Sequence, residues 1–240
     1  MISEGRSGTN GVYRYIFANS KKKIEPFKDT LTKDQRRFKQ ALLDRSQEFE
    51  DRVIIHIKPQ HTFSNGKFKK LTIEQMIDSC MECGIYNFII IKRLNILAKI
   101  ISSTQCYLQL TTIQKVKHKV EVKIEQLKER LRKGSKYEDE FIEHLKDKKD
   151  EGLKMVELIY EDDIKDDVKV ACKKIVDVFD WLPNNYVDYD EDMKKQKKLS
   201  VFDRNNNMFD KRPIHQRVSN LEATTKALQK YDALWMLELE

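Results

Sequence analysis

Cys80-Met81-Glu82-Cys83 is the spacing in this chain nearest to a metal motif. Two thiolates one helical turn apart, joined by the imidazoles of His56 and His61, would make a closed tetrahedral zinc set. The match is partial. There is one CxxC and no second, and the two histidines stand in an apolar stretch of uncertain type. The same spacing also places two small residues on the core side of one helix, and this is the reading we expect. No metal and no cofactor are therefore expected. A thioredoxin-like redox role fits less well, because no βαβ pattern surrounds the pair.

Carboxylates offer the next chemistry. Asp188-Tyr189-Asp190-Glu191-Asp192 and Asp203-Arg204-Asn205-Asn206-Asn207 both begin like calcium loops. Met193 and Met208 occupy the sixth position, where the loop needs glycine, and Leu199 and Ile214 occupy the twelfth, where it needs glutamate. Asp162, Asp163, Asp166 and Asp167 would suit the positive end of a helix. There is no Walker A loop, GxSxG or HExxH, and no nucleophile stands at a useful spacing from a base. The expectation is a protein that is not an enzyme.

Basic residues point elsewhere. The net charge is +7 with pI near 9.0, a bias toward acidic partners. Arg14 lies within the aromatic piece Val12–Phe17, Lys21, Lys22 and Lys23 follow it, and Arg36, Arg37 and Arg45 come next on a helical pattern. Together they are candidate nucleic-acid contacts, by charge and by stacking. Lys194-Lys195-Gln196-Lys197-Lys198 is a weaker cluster that balances the acidic run before it.

The elements that must carry these residues read as mainly α. Charged residues make up 35% of the chain, above the usual quarter, while Gly (7) and Pro (4) are scarce, which favours long uninterrupted helices. The expected fold is a multi-helix bundle with long amphipathic charged helices and a small β-hairpin near residues 53–70, where Asn65-Gly66 is the turn signal. Five segments follow: a basic, aromatic arm at 1–31, a helical core at 32–110, a charged helical segment at 111–183, a polar loop at 184–212 and a closing amphipathic helix at 213–240.

Individual patterns sharpen this. Thr32 with Gln35 and Thr72 with Gln75 fit capping boxes, and Gly84 suits the residue after a helix from Ile73 to Cys83. Ile85 to Ser102 is apolar on nearly every side, as a central buried helix would be. With the helix before it, that segment has the length of a helix-turn-helix, but Phe88-Ile89-Ile90-Ile91 is too apolar to lie in a groove. Ile113, Val116, Val120, Ile124, Leu127 and Leu131 predict a charged rod over 111–133. Further helices are predicted at Tyr137–Tyr160 and Asp163–Leu182. Pro213 suits the first position of a closing coiled-coil rod with Ile214, Val218, Leu221, Thr225, Leu228, Asp232, Trp235 and Leu239 in its seam.

No apolar run reaches the length of a membrane span, the first residues carry no secretory signal, and four cysteines without a framework suit a reducing compartment. The expectation is an intracellular protein, cytoplasmic or nuclear, with no membrane partner. Its expected function is binding and assembly within a larger complex, through a protein partner or self-association at Val218, Leu221, Leu228 and Trp235. The alternative is a basic nucleic-acid-binding subunit. The motifs define no family resemblance.

Overall fold

Phe88-Ile89-Ile90-Ile91 has no polar face to turn toward water. A run this short, apolar and rich in β-branched residues satisfies its backbone best as a strand buried on both sides. The computed structural model places it so. It describes Val12, residues 38–40 and 42–44, and residues 71–111, 119–179 and 212–238; for 106–111 the backbone alone is described. In chain order the elements are α1 (Ile73–Glu82), β1 (Asn87–Lys92), α2 (Ile96–Thr111), α3 (Ile124–Lys133), α4 (Lys136–Asp147), β2 (Lys154–Ile159), α5 (Val168–Val178), α6 (Ile214–Arg217) and α7 (Leu221–Gln229). Most of the described residues are helical, and β1 and β2 form a small parallel sheet.

The chain divides into two units. One comprises Met1–Lys92 with Ser135–Tyr189, the other Arg93–Gly134 with Asp190–Glu240.

In the first unit β1 pairs with β2 from Asn87 opposite Lys154 to Lys92 opposite Ile159. The two-residue alternation sends Phe88 and Ile90 into one apolar layer with Met76, Ile77 and Cys80 of α1 and Phe141 and Leu145 of α4. It sends Ile89 and Ile91, with Val156 and Leu158 of β2, into a second layer with Ala171 and Ile175 of α5. Phe38 and Leu42 belong to the first layer and Val12 to the second. Helices thus cover both sheet faces.

Local signals set the ends of α1. The Thr72 hydroxyl accepts from the Gln75 N–H at 3.1 Å, and the Gln75 side chain accepts from the Thr72 N–H at 3.1 Å, a complete capping box. At the other end Gly84 takes φ +78, and the Gly84 and Ile85 N–H groups donate to the carbonyls of Met81 and Cys80. That is a Schellman closure, with Ile85 packed on the same apolar layer as Cys80.

The second unit has a different frame. Asn95 caps α2 by accepting from the Ala98 N–H at 2.9 Å, and donates to the Met236 carbonyl at 3.0 Å. Residues 119–123 run beside 217–220. The Val120 N–H donates to the Arg217 carbonyl at 2.7 Å and the Val120 carbonyl accepts from the Ser219 N–H at 2.9 Å, a single parallel bridge between Val120 and Val218. The Asn220 amide continues the pairing. It accepts from the Val122 N–H at 2.9 Å and donates to the Val122 carbonyl at 2.8 Å, as a peptide group would. Ile96, Leu97, Ile101, Leu127, Ile214 and Leu228 close the apolar core.

Several expected elements differ. Ile85–Ser102 is not one helix: strand β1, a short link and α2 divide it, so the helix-turn-helix reading falls too. Tyr137–Tyr160 is α4, a 3-10 turn at Lys149–Glu151 and β2, because Gly152 sits at φ +83 and ends the helical run. The rod over 111–133 is helical at Thr111 and again from Ile124, since Val120 and Val122 are committed to the bridge; 112–118 lie outside the described residues. Tyr160–Ile164 forms a π-helical turn, and α5 starts only at Val168, capped by the Asp167 side chain. Pro213 is the residue before α6, not its first. The closing rod is interrupted: Val218 leaves the helix to bridge, and Asp232 at φ 57 ends the run after α7 before the 3-10 turn Leu234–Leu237. The multi-helix bundle therefore gives way to helices on a parallel strand pair in one unit and broken helices in the other. The hairpin expected at 53–70 and the loop at 184–211 lie outside the described residues.

Asn220→Ala should be among the most damaging small substitutions in the second unit. It removes two hydrogen bonds and strands the buried Val122 N–H and carbonyl, a loss of about 2–3 kcal/mol. Asn220→Asp should cost a similar amount, because a carboxylate oxygen would face the Val122 carbonyl. Urea midpoints of the two variants check both.

Candidate functional site

The two cysteines of the CxxC lie in different surroundings. Cys80 is buried in the first apolar layer beside Met76 and Phe88, and burial pushes its thiol up to about 12. Cys83 is half-buried at the end of α1. Burial raises its thiol too, against the opposing pull of Lys39, whose carbonyl lies 3.8 Å from the Cys83 Sγ. Cys172 is buried on α5 and burial raises it strongly. His56 and His61 lie outside the described residues. Among the described residues no three His, Cys, Asp or Glu side chains cluster as metal ligands would.

Charged groups that the linear pattern did not single out are brought together at the sheet. Lys92 ends β1, on the face shared with Glu157 of β2. Its ammonium lies 2.6 Å from Glu157 and 2.6 Å from Asp139 of α4, with only 13% of the side chain exposed. Burial opposes the Lys92 charge, but the two carboxylates outweigh it and hold the pKa above its ordinary 10.5. On the other side of the strand pair, Asp163 is buried. It accepts from the Ile159 N–H at 2.8 Å and pairs with Lys174 at 2.7 Å. The four aspartates thus have divided duties: Asp167 caps α5, whereas Asp163 closes the turn after β2. The signal for Lys92 is a lysine directly after the apolar run Phe88–Ile91; no local signal marks Asp139 as its partner.

The second unit has its own buried polar pair, Arg217 donating to Gln105 at 2.8 Å. The four proposed interface residues separate. Val218 and Leu228 are core, Leu221 is half-buried, and Trp235 is 36% exposed beside Leu234 at 39%. Beneath them Ala233 and Met236 are buried, so the 3-10 turn is anchored inward while Leu234 and Trp235 are the more exposed. Neighbouring Tyr231 is held by Arg132, whose Nε donates to the phenol oxygen at 3.0 Å.

The basic charge is unevenly spread. Arg93–Gly134 holds ten Lys and Arg against three Asp and Glu, whereas Ser135–Tyr189 holds nine against sixteen. The arm and helix candidates Arg14, Lys21, Lys22, Lys23, Arg36, Arg37 and Arg45 lie outside the described residues, so the structure neither gathers nor separates them.

No family model matches the chain, and neither a curated protein nor a solved structure is detectably similar to it. Among the described residues no helix is long and apolar enough to cross a membrane.

The thiol environments predict an order of reaction. Alkylation of the native protein at pH 8, read by peptide mass mapping, should modify Cys83 before Cys80 and Cys172. Equimolar zinc should leave that order and its rates unchanged. Protection of both Cys80 and Cys83 by zinc would instead support the four-ligand set with His56 and His61.

Proposed function

We propose that this chain is a non-enzymatic binding and assembly subunit, with the Leu234–Trp235 step as its protein-facing anchor. One observation carries the reading: a tryptophan and a leucine, each more than a third exposed, are adjacent on a turn fixed from below by the core. Leaving them there forgoes the stabilisation that burial would bring, and exposed aromatic residues on a rigid support are what interface hot spots are made of. Of the four residues first expected at this interface, Trp235 takes the role of anchor and Leu221 sits beside α7's exposed face. Val218 and Leu228 support from within.

Trp235→Ala separates interface from core. The wild-type chain should form a concentration-dependent oligomer by light scattering, and the variant should run as a monomer. Its far-UV CD should be unchanged and its Tm should shift by no more than about 2 °C. A wild-type protein that stays monomeric at every concentration would overturn self-association.

Nucleic-acid binding is the second reading, favoured by the basic excess in Arg93–Gly134. Anisotropy with labelled single-stranded RNA and duplex DNA checks it across a salt series. Phosphate contacts should make log Kd climb steeply with log salt, and a flat response would remove this reading.

A further inference from the structure

Lys119-Val120-Glu121-Val122-Lys123 is a short segment with one isolated bridge, at Val120, and one satisfied edge. Val120 and Val122 are buried, and both of their N–H and carbonyl groups pair with the 217–220 side. In extended backbone the residue between them must point its own N–H and carbonyl the opposite way. Lys123 is itself extended, at φ −70 and ψ 102. No hydrogen bond to the Glu121 backbone is formed among the described residues. Lys119, Glu121 and Lys123 are all exposed. The outer edge is therefore an open hydrogen-bonding template, flanked by charges in the order plus, minus, plus.

We infer that this edge receives an extended acidic segment of a partner protein, added antiparallel as an extra strand. Main-chain bonds to Glu121 would supply the register, and cross-strand charges would supply the selectivity. A second copy of this chain is a poor occupant. Antiparallel pairing of two such edges about Glu121 sets Glu121 against Glu121 and Lys119 against Lys123, so every directly opposed pair is of like sign. Exposed lysines on an edge discourage indiscriminate strand addition for the same reason. A strand with a lysine between two acidic residues, one residue removed on each side, reverses all three signs. The ten-to-three basic excess of Arg93–Gly134 would also steer an acidic segment toward this edge. This surface is distinct from the Leu234–Trp235 step and its test does not involve Trp235, so either can fail alone.

The probe is a labelled heptapeptide, TEVKVET, with TKVEVKT as the charge-reversed control. TEVKVET should bind saturably, at least tenfold tighter than the control, and should slow hydrogen exchange at the Glu121 amide. Glu121→Pro removes the central outward donor without touching a bond in use, and should weaken binding at least tenfold with CD unchanged. The double variant Lys119→Glu with Lys123→Glu changes only exposed side chains and should reverse the preference between the peptides. Absence of TEVKVET binding, equal binding of both peptides, or full binding by a folded Glu121→Pro variant would each overturn the proposal. The last outcome would mark simple attraction of a polyanion.

Discussion

A strand buried on both faces has only its own plane in which to pair its backbone. That constraint organises the first unit. Phe88–Ile91 cannot turn any residue toward water, so helices must cover both faces and another strand must lie alongside. β2 meets the demand in parallel, and a parallel neighbour requires a long connection. Here the connection includes the whole limb Arg93–Gly134 before α4 returns to cover one face. The second unit's first limb thus occupies the crossover that the sheet's direction makes necessary. Lys92 marks the end of the buried stretch, where charge becomes tolerable once two carboxylates meet it.

The second unit answers the same requirement with side chains. Its described residues contain one bridge and no ladder, yet Val120 and Val122 are buried and their backbone groups need partners. Asn220 supplies a donor and an acceptor from one amide, which is the functional equivalent of a neighbouring peptide group. Asn95 does similar work between the start of α2 and the Met236 carbonyl. Both tie together segments about a hundred or more positions apart in the chain. Such bonds add less net energy than the apolar core around them, but they allow one register only, because a shifted pairing would leave buried groups unmet.

What was legible in the sequence was local. The α1 helix could be read from Thr72, Gln75 and Gly84 because capping and closure depend on residues within one turn. The errors arose where an element's identity depended on distant partners. Ile85–Ser102 has no period, so only the β-branched run at Ile89–Ile91 could separate strand from helix, and its pairing partner lies far along the chain. Val116, Val120 and Ile124 fit a helical stripe, but Val120 and Val122 also alternate as a strand does, and the bridge to Val218 decides between them. In the closing segment Asp232 filled a heptad position on paper. In the fold it adopts the left-handed conformation that closes α7, with the Ala233 N–H donating to Leu228 and the Asp232 N–H to Gln229. The candidate interface is legible only as one apolar stripe: Val218 and Leu228 are buried while Trp235 is partly exposed, because amphipathic spacing does not distinguish a face turned inward from one turned outward.

Residue types that suggest chemistry in a linear reading are largely committed to structure. Cys80 fills an apolar layer, where its thiolate would be costly. Asp163 has a backbone N–H and a lysine on its carboxylate, and Lys92 has two carboxylates on its ammonium. A group whose charge is already compensated in this way gains little by leaving its partners for a substrate. Among the described residues, unspent interaction energy is left in groups of another kind, including apolar area on Leu234 and Trp235 and the outward peptide groups of Glu121. Area and backbone hydrogen bonds are what one protein offers another. The Leu234–Trp235 step and the Glu121 edge lie in the same unit and differ in specificity. The apolar step can accept many partners of suitable shape, whereas the charged edge selects among strands by sign.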